Sequence, residues 1–151
     1  MTTPAAPAPA REVHTDLPAT ARAPRQARLT IRSVLQAWGL ATLASDAELL
    51  TSELVTNAAE HAHGDPIGLT IRQHTGPAGQ RGILCQITDT SPDLPHQPPT
   101  CPGSERGRGL RIVTALATSS GVTATPPGKT AWFTLTTPPS PARTRQAEAG
   151  L

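Results

Sequence analysis

Cysteine is scarce here, two residues in 151. Cys85 lies in an apolar strand pattern and Cys101 in a proline-rich loop. That spacing builds neither a disulfide framework nor a zinc site, and it fits reduced thiols in a cytoplasmic protein. Long apolar runs are missing as well. No stretch reaches the roughly twenty residues that a bilayer-crossing helix needs, and the first residues lack the order of a signal peptide. No membrane association is therefore expected. Nor is there an excess of one charge sign: 13 Lys and Arg stand against 11 Asp and Glu, a net +2. Direct nucleic-acid binding normally shows a clustered basic face, which this balance does not supply.

What is present is enough chain for one domain, able to bury roughly two-thirds of its unfolded surface without staples. The ends are low in complexity: "MTTPAAPAPA" at the start and "TPPSPARTRQAEAGL" at the finish. Neither offers anything to bury, so residues 1–10 and 137–151 are expected to be disordered tails around a domain over 11–136. Inside it, "REVHTDL" alternates weakly, as an edge strand would. "APRQARLTIRSVLQAW" places Ala23, Ala27, Ile31, Val34, Leu35 and Trp38 at helical spacing, with Pro24 in its first turn and Gly39 as its stop. "SDAELLTSELVTNAAEHA" predicts a second helix, with Ser45 and Glu48 as a capping box and Leu50, Leu54 and Ala58 as its core stripe.

Two alternating runs follow, "IGLTIRQH" and "GILCQITD", joined by "TGPAGQ" as a hairpin. A proline-rich loop then runs from Thr90 to Ser104. "GRGLRIVTALA" predicts a third helix, with Leu110, Val113 and Leu116 or Ala117 turned inward, and "GVTAT" and "TAWFTL" predict a last hairpin. Helices and antiparallel strands in this order imply the α+β class: a two-layer sandwich of a mixed sheet with helices on one face.

Three features carry candidate chemistry. The second helix sets Glu53, Asn57 and His61 at four-residue steps, which stacks them along one face beside the core stripe. Such a row is either a solvated flank or a site on a rigid helix. In the second case Glu53 could act as a base and Asn57 could hold Mg²⁺, a cation that keeps several waters and takes few protein ligands. His61 without a matching His/Cys set argues against zinc. Asp89 closes an apolar strand; it is either an Asx turn or an acceptor for an exocyclic amine. "GSERGRGLRIV" places Gly103, Gly107 and Gly109 before a helix with Arg106 and Arg108 interleaved. This is either a flexible loop or a place where backbone N–H groups approach phosphate oxygens. It lacks the parallel βαβ frame of a dinucleotide fingerprint, and no Gly-Lys-Ser/Thr follows it as in a Walker loop. "GKT" at Gly128–Thr130 sits in a hairpin and reads as a decoy.

Taken in order, "SELVTNAAEHA", "DTSPDLP", "RGRGLRIV" and "GKTAWF", together with "AWGL" after the first helix, resemble the Bergerat-type ATP-binding fold. This domain is shared by gyrase-type ATPases, chaperones, histidine kinases and anti-sigma-factor serine/threonine kinases. The small anti-sigma-factor kinase branch is the most similar, because a phosphoacceptor helix pair before the domain or a large domain after it is not expected. The resemblance implies ATP and Mg²⁺ as cofactors. It implies Asn57 as the Mg²⁺ ligand, Glu53 as general base, Asp89 as acceptor of the adenine amine, and Gly107 and Gly109 as the phosphate cradle, flanked by Arg108 and Leu110. Thr130 would assist Asp89 near adenine, and the proline-rich loop would be the ATP lid. Members of this branch phosphorylate a serine or threonine on an anti-sigma-factor antagonist or sequester a sigma factor, so these are the implied protein partners. Some relatives dimerise, which raises a homodimer as a further expectation. An ATP-tuned binding module with little phosphotransfer is the alternative. The chain departs from its relatives at Ser91–Pro95, at Glu60 and at Ser119–Gly121.

Overall fold

The computed structural model describes residues 11–62, 64–90, 116–126 and 128–138. Among the described residues the elements run β1 (Glu12–Leu17), α1 (Ala23–Ala37), a 3₁₀ turn (Ala41–Leu43), α2 (Ala44–His61), β2 (Ile67–Thr75), β3 (Arg81–Asp89), β4 (Ser119–Thr125) and β5 (Gly128–Thr136). The strands form one sheet in the order β1-β2-β3-β5-β4. One face of the sheet carries α1 and α2, giving the expected α+β two-layer sandwich with helices on one side.

The expectation of mixed pairing is corrected: among the described strands every pair is antiparallel. Connectivity explains it. One helix between two strands returns the chain for a parallel pair, but two antiparallel helices between β1 and β2 reverse it once more. The hairpins β2–β3 and β4–β5 are antiparallel through their short turns. β1 lies at the sheet edge, as its weak alternation predicts.

α1 forms where its apolar residues recur at helical spacing. Pro24 occupies the first turn, and Ala23, Ala27, Ile31, Val34 and Leu35 are buried. It stops at Gly39, whose φ of 71° lies in the left-handed region that glycine tolerates. Trp38 and Leu40 flank that stop and are both buried, and the Arg81 guanidinium donates to the Trp38 carbonyl at 2.6 Å.

The start of α2 differs from the capping box that Ser45 and Glu48 predict. The 3₁₀ turn runs directly into the helix, so the cap position falls on Leu43, in helical conformation and without a side-chain cap. Ser45 is already inside the first turn. Glu48 instead accepts from the Arg32 guanidinium of α1, through Nε at 3.1 Å and through Nη2. Arg28 of α1 donates to Ser52 at 2.9 Å, a second polar link along the helix pair. Leu50, Leu54 and Ala58 do form the buried stripe, joined by Thr51 and Val55.

Alternation then decides which face each strand residue takes. Ile67, Leu69 and Ile71 of β2, Ile83, Cys85 and Ile87 of β3, and Phe133 and Leu135 of β5 are buried against the helices. The Cys85 thiol sits 3.8 Å from the Thr51 hydroxyl, and burial pushes its pKa up to about 12. The expected third helix falls almost wholly outside the described residues. At its end Leu116 is exposed and Ala117 packs against the core. The expected lid loop and both tails also lie outside them, apart from Thr90 and residues 137–138. No helix among the described residues is long and apolar enough to cross a membrane.

Candidate functional site

Strand parity builds the site. Asp89 is two residues beyond Ile87, so it continues the helix-facing side of β3, and it is 4% exposed. The register sets Lys129 of β5 directly opposite. Lys129 is two residues before Ala131 and four before Phe133, which places it on the same inner side. Its ammonium lies 3.3 Å from one Asp89 carboxylate oxygen and 3.2 Å from the other. Both side chains are nearly removed from solvent, at 7% and 3% exposure for Lys129 and Asp89. A buried charge is tolerated when it is paired and hydrogen-bonded, and each partner here supplies what the other needs.

The C-terminal half of α2 roofs this pair. Asn57, Ala58 and His61 from the helix, with Leu54, join Ile87, Asp89, Val122, Lys129 and Ala131 around a narrow cleft of about 20 Å³, partly open to solvent. Its walls are mostly apolar, and its polar groups come from few positions: an amide, an imidazole, a carboxylate and an ammonium. Apolar concavities with a few convergent polar groups are the usual form of small-molecule sites. The Glu53–Asn57–His61 row is half-buried along its whole length, so it is not a fully solvated flank. Asn57 and His61 line the cleft; Glu53 lies one turn earlier on α2, outside that lining.

Two features hold the mouth of the cleft. Gly128 begins β5 against the end of β3, and a β-carbon there would fall on the Asp89 carbonyl and on Thr90. Only glycine lets the two backbones approach so closely. The Thr90 hydroxyl donates to Asp65 at 2.8 Å, tying the end of β3 to the segment that follows α2.

Thr130 does not join the cleft. Parity sends its side chain to the sheet face away from the helices, where its hydroxyl lies 3.0 Å from those of Thr88 and Thr125. It shares that face with Trp132 and Thr134. The expectation that Thr130 assists Asp89 near a base is therefore corrected: the β5 side chain beside Asp89 is Lys129. Lys129 belongs to the "GKT" stretch, whose resemblance to a phosphate-loop motif hides its inward position. The signal was present, because the inward parity of Phe133 and Leu135 selects odd positions of β5. Gly107, Arg108, Gly109 and Leu110 lie outside the described residues.

The donor set fits a nucleotide with its metal. A carboxylate beside an ammonium can satisfy the edge of a base, and the Asn57 amide oxygen is a hard ligand of the kind Mg²⁺ accepts alongside waters and phosphate oxygens. Among the described residues no cluster of three or more His, Cys, Asp or Glu side chains could hold a metal unaided.

The family model for the histidine kinase-like ATPase domain matches residues 17–135. No curated protein matches the chain.

Proposed function

Because the chain belongs to the histidine kinase-like ATPase domain family, we propose that it is an ATP-binding regulatory protein of the anti-sigma-factor type. In this reading it is a serine/threonine kinase that phosphorylates an anti-sigma-factor antagonist, sequesters a sigma factor, or does both. The observation that carries the reading is the meeting of Asn57 from α2 with Asp89 from β3 in one cleft. Those residues are 32 positions apart in the chain, and they supply the two contacts that a bound Mg-nucleotide needs at its opposite ends.

Each residue then has a distinct task. The Asp89 carboxylate accepts from the amine of the adenine. Asn57 would offer its amide oxygen to a bound Mg²⁺ ion. Glu53, one turn back along α2, faces the position of an incoming serine hydroxyl and takes its proton. Mg-ATP supplies an electrophilic phosphoryl group whose charge the metal spreads; little covalent chemistry is left for the protein, so positioning dominates. The family resemblance assigns the phosphates to Gly107 and Gly109, with Arg108 and Leu110.

The experiment pairs binding with transfer. Radiolabelled phosphate is followed from ATP to a purified antagonist while ATP binding is titrated for each variant. Glu53→Ala keeps near-normal binding and loses transfer by roughly 10²–10⁴-fold, the usual contribution of a positioned general base. Asn57→Ala loses Mg-dependent affinity and transfer together. Full transfer by Glu53→Ala would remove the base from this account. Intact binding without transfer in the wild type would select the ATP-tuned binding module.

A further inference from the structure

Lys129, a buried cation that lines the cleft, has no task in the reading above. Lys129 reaches its position through three independent features. Strand parity turns it inward, register sets it opposite Asp89, and the bare α-carbon of Gly128 lets β5 begin against the Asp89 backbone. Its ammonium carries three N–H donors. The contacts it makes among the described residues go to the two oxygens of one carboxylate, at 3.3 Å and 3.2 Å. It also lines the cleft beside Asn57 and His61. As a purely structural device such a pair is a poor choice, since replacing a buried ion pair by apolar residues is often neutral or stabilising.

Placed there, the lysine changes what the carboxylate presents. Asp89 alone offers acceptors. Asp89 with Lys129 offers an acceptor and a charged donor side by side. The edge of adenine carries the complement: the exocyclic N6 amine donates, and the adjacent ring nitrogen N1 accepts. A base whose amine donates a hydrogen bond to Asp89 brings its neighbouring ring nitrogen toward the Lys129 ammonium. We propose that Lys129 is a second base-reading residue of the cleft, donating a hydrogen bond to the ring nitrogen next to the amine that Asp89 accepts. The proposal rests on the nucleotide-binding reading of the cleft. It adds that the ligand class is a 6-aminopurine with an unsubstituted N1, read at both atoms.

The test uses the full chain and two probes, ADP and 1-deaza-ADP, in which a C–H replaces the N1 acceptor. Both are titrated by calorimetry with Mg²⁺ against the wild type, against Lys129→Met, and against Asp89→Asn/Lys129→Met. A hydrogen bond from a charged donor corresponds to roughly tenfold to a hundredfold in affinity. The wild type should therefore bind ADP at least about tenfold more tightly than 1-deaza-ADP. Lys129→Met, or the double variant if the single one does not fold, should bind the two probes within about twofold of each other. A lysine that only stabilised the fold would lower the unfolding temperature of the variant and leave this ratio unchanged. Equal wild-type affinities for the two probes would overturn the proposal, as would a variant that kept the wild-type ratio. Failure of ADP itself to bind would overturn the nucleotide reading and this inference with it. ADP binding without discrimination would overturn the inference alone.

Discussion

Asp89 and Lys129 hold opposite charges, out of water, on facing strands. Removing one partner leaves the other as an uncompensated buried charge, which typically costs about 3–5 kcal/mol. Asp89→Asn should therefore lose stability in urea unfolding by that order. If Asp89 accepts from the base amine as proposed, the variant should also lose at least about tenfold in ATP affinity. Adding Lys129→Met should recover most of the stability and none of the affinity. A double variant no more stable than the single one would contradict the pairing. Cys85 gives a second test at this scale. Its pKa is raised to about 12 by burial, so the protonated thiol is the form the folded protein holds. The sign follows from linkage: the unfolded chain loses this proton first, so the contribution is whole below the unfolded value and falls as pH rises toward about 12. In a Cys101→Ser background, iodoacetamide at pH 8 should leave Cys85 unmodified until urea unfolds the protein. Rapid alkylation of the folded protein would contradict its burial.

Elements were more legible in the sequence than their ends. The stripe at Leu50, Leu54 and Ala58 specified a helix, and alternation at Ile67–Ile71 and Ile83–Ile87 specified a hairpin, because period alone separates those two structures. The N-terminus of α2 was not legible. Ser45 and Glu48 have capping-box spacing, but a 3₁₀ turn delivers the chain already helical, and Arg32 of α1 takes the Glu48 carboxylate. That competitor lies 16 residues away in the chain, beyond what a local motif can register. Thr130 shows the converse. The parity that would have turned it outward was readable from Phe133 and Leu135, and a motif-based assignment overrode it. Gly128 carries the prediction for this scale. A methyl at Gly128→Ala meets the Asp89 carbonyl and the Thr90 backbone, so β5 must draw away from β3 where Asp89 and Lys129 pair. The variant should unfold at lower urea concentration and bind ATP more weakly than the wild type. Unchanged values in both measurements would show that the strand ends have room to spare.

Across the whole molecule, one sheet face is committed to the core, and the ends of β3 and β5 on that face line the cleft. Phe133 is fully buried where β5 meets the helices, and Phe133→Ala should cost about 3–5 kcal/mol in urea unfolding. The family was readable from motif order, and so were the helix that carries Asn57 and the strand end that carries Asp89. Their meeting in one cleft is a property of the fold, as is the arrival of Lys129 opposite Asp89. The central claim is that this cleft binds a Mg-nucleotide through Asn57 and Asp89. Its most direct test is one calorimetric series: ATP titrated into the wild type with and without Mg²⁺, and with Mg²⁺ into Asn57→Ala. The account predicts saturable binding to the wild type that weakens when Mg²⁺ is withheld, and binding to Asn57→Ala that is weak even with Mg²⁺ present. No binding to the wild type at millimolar Mg-ATP, or an Asn57→Ala isotherm that overlays the wild type, would contradict it.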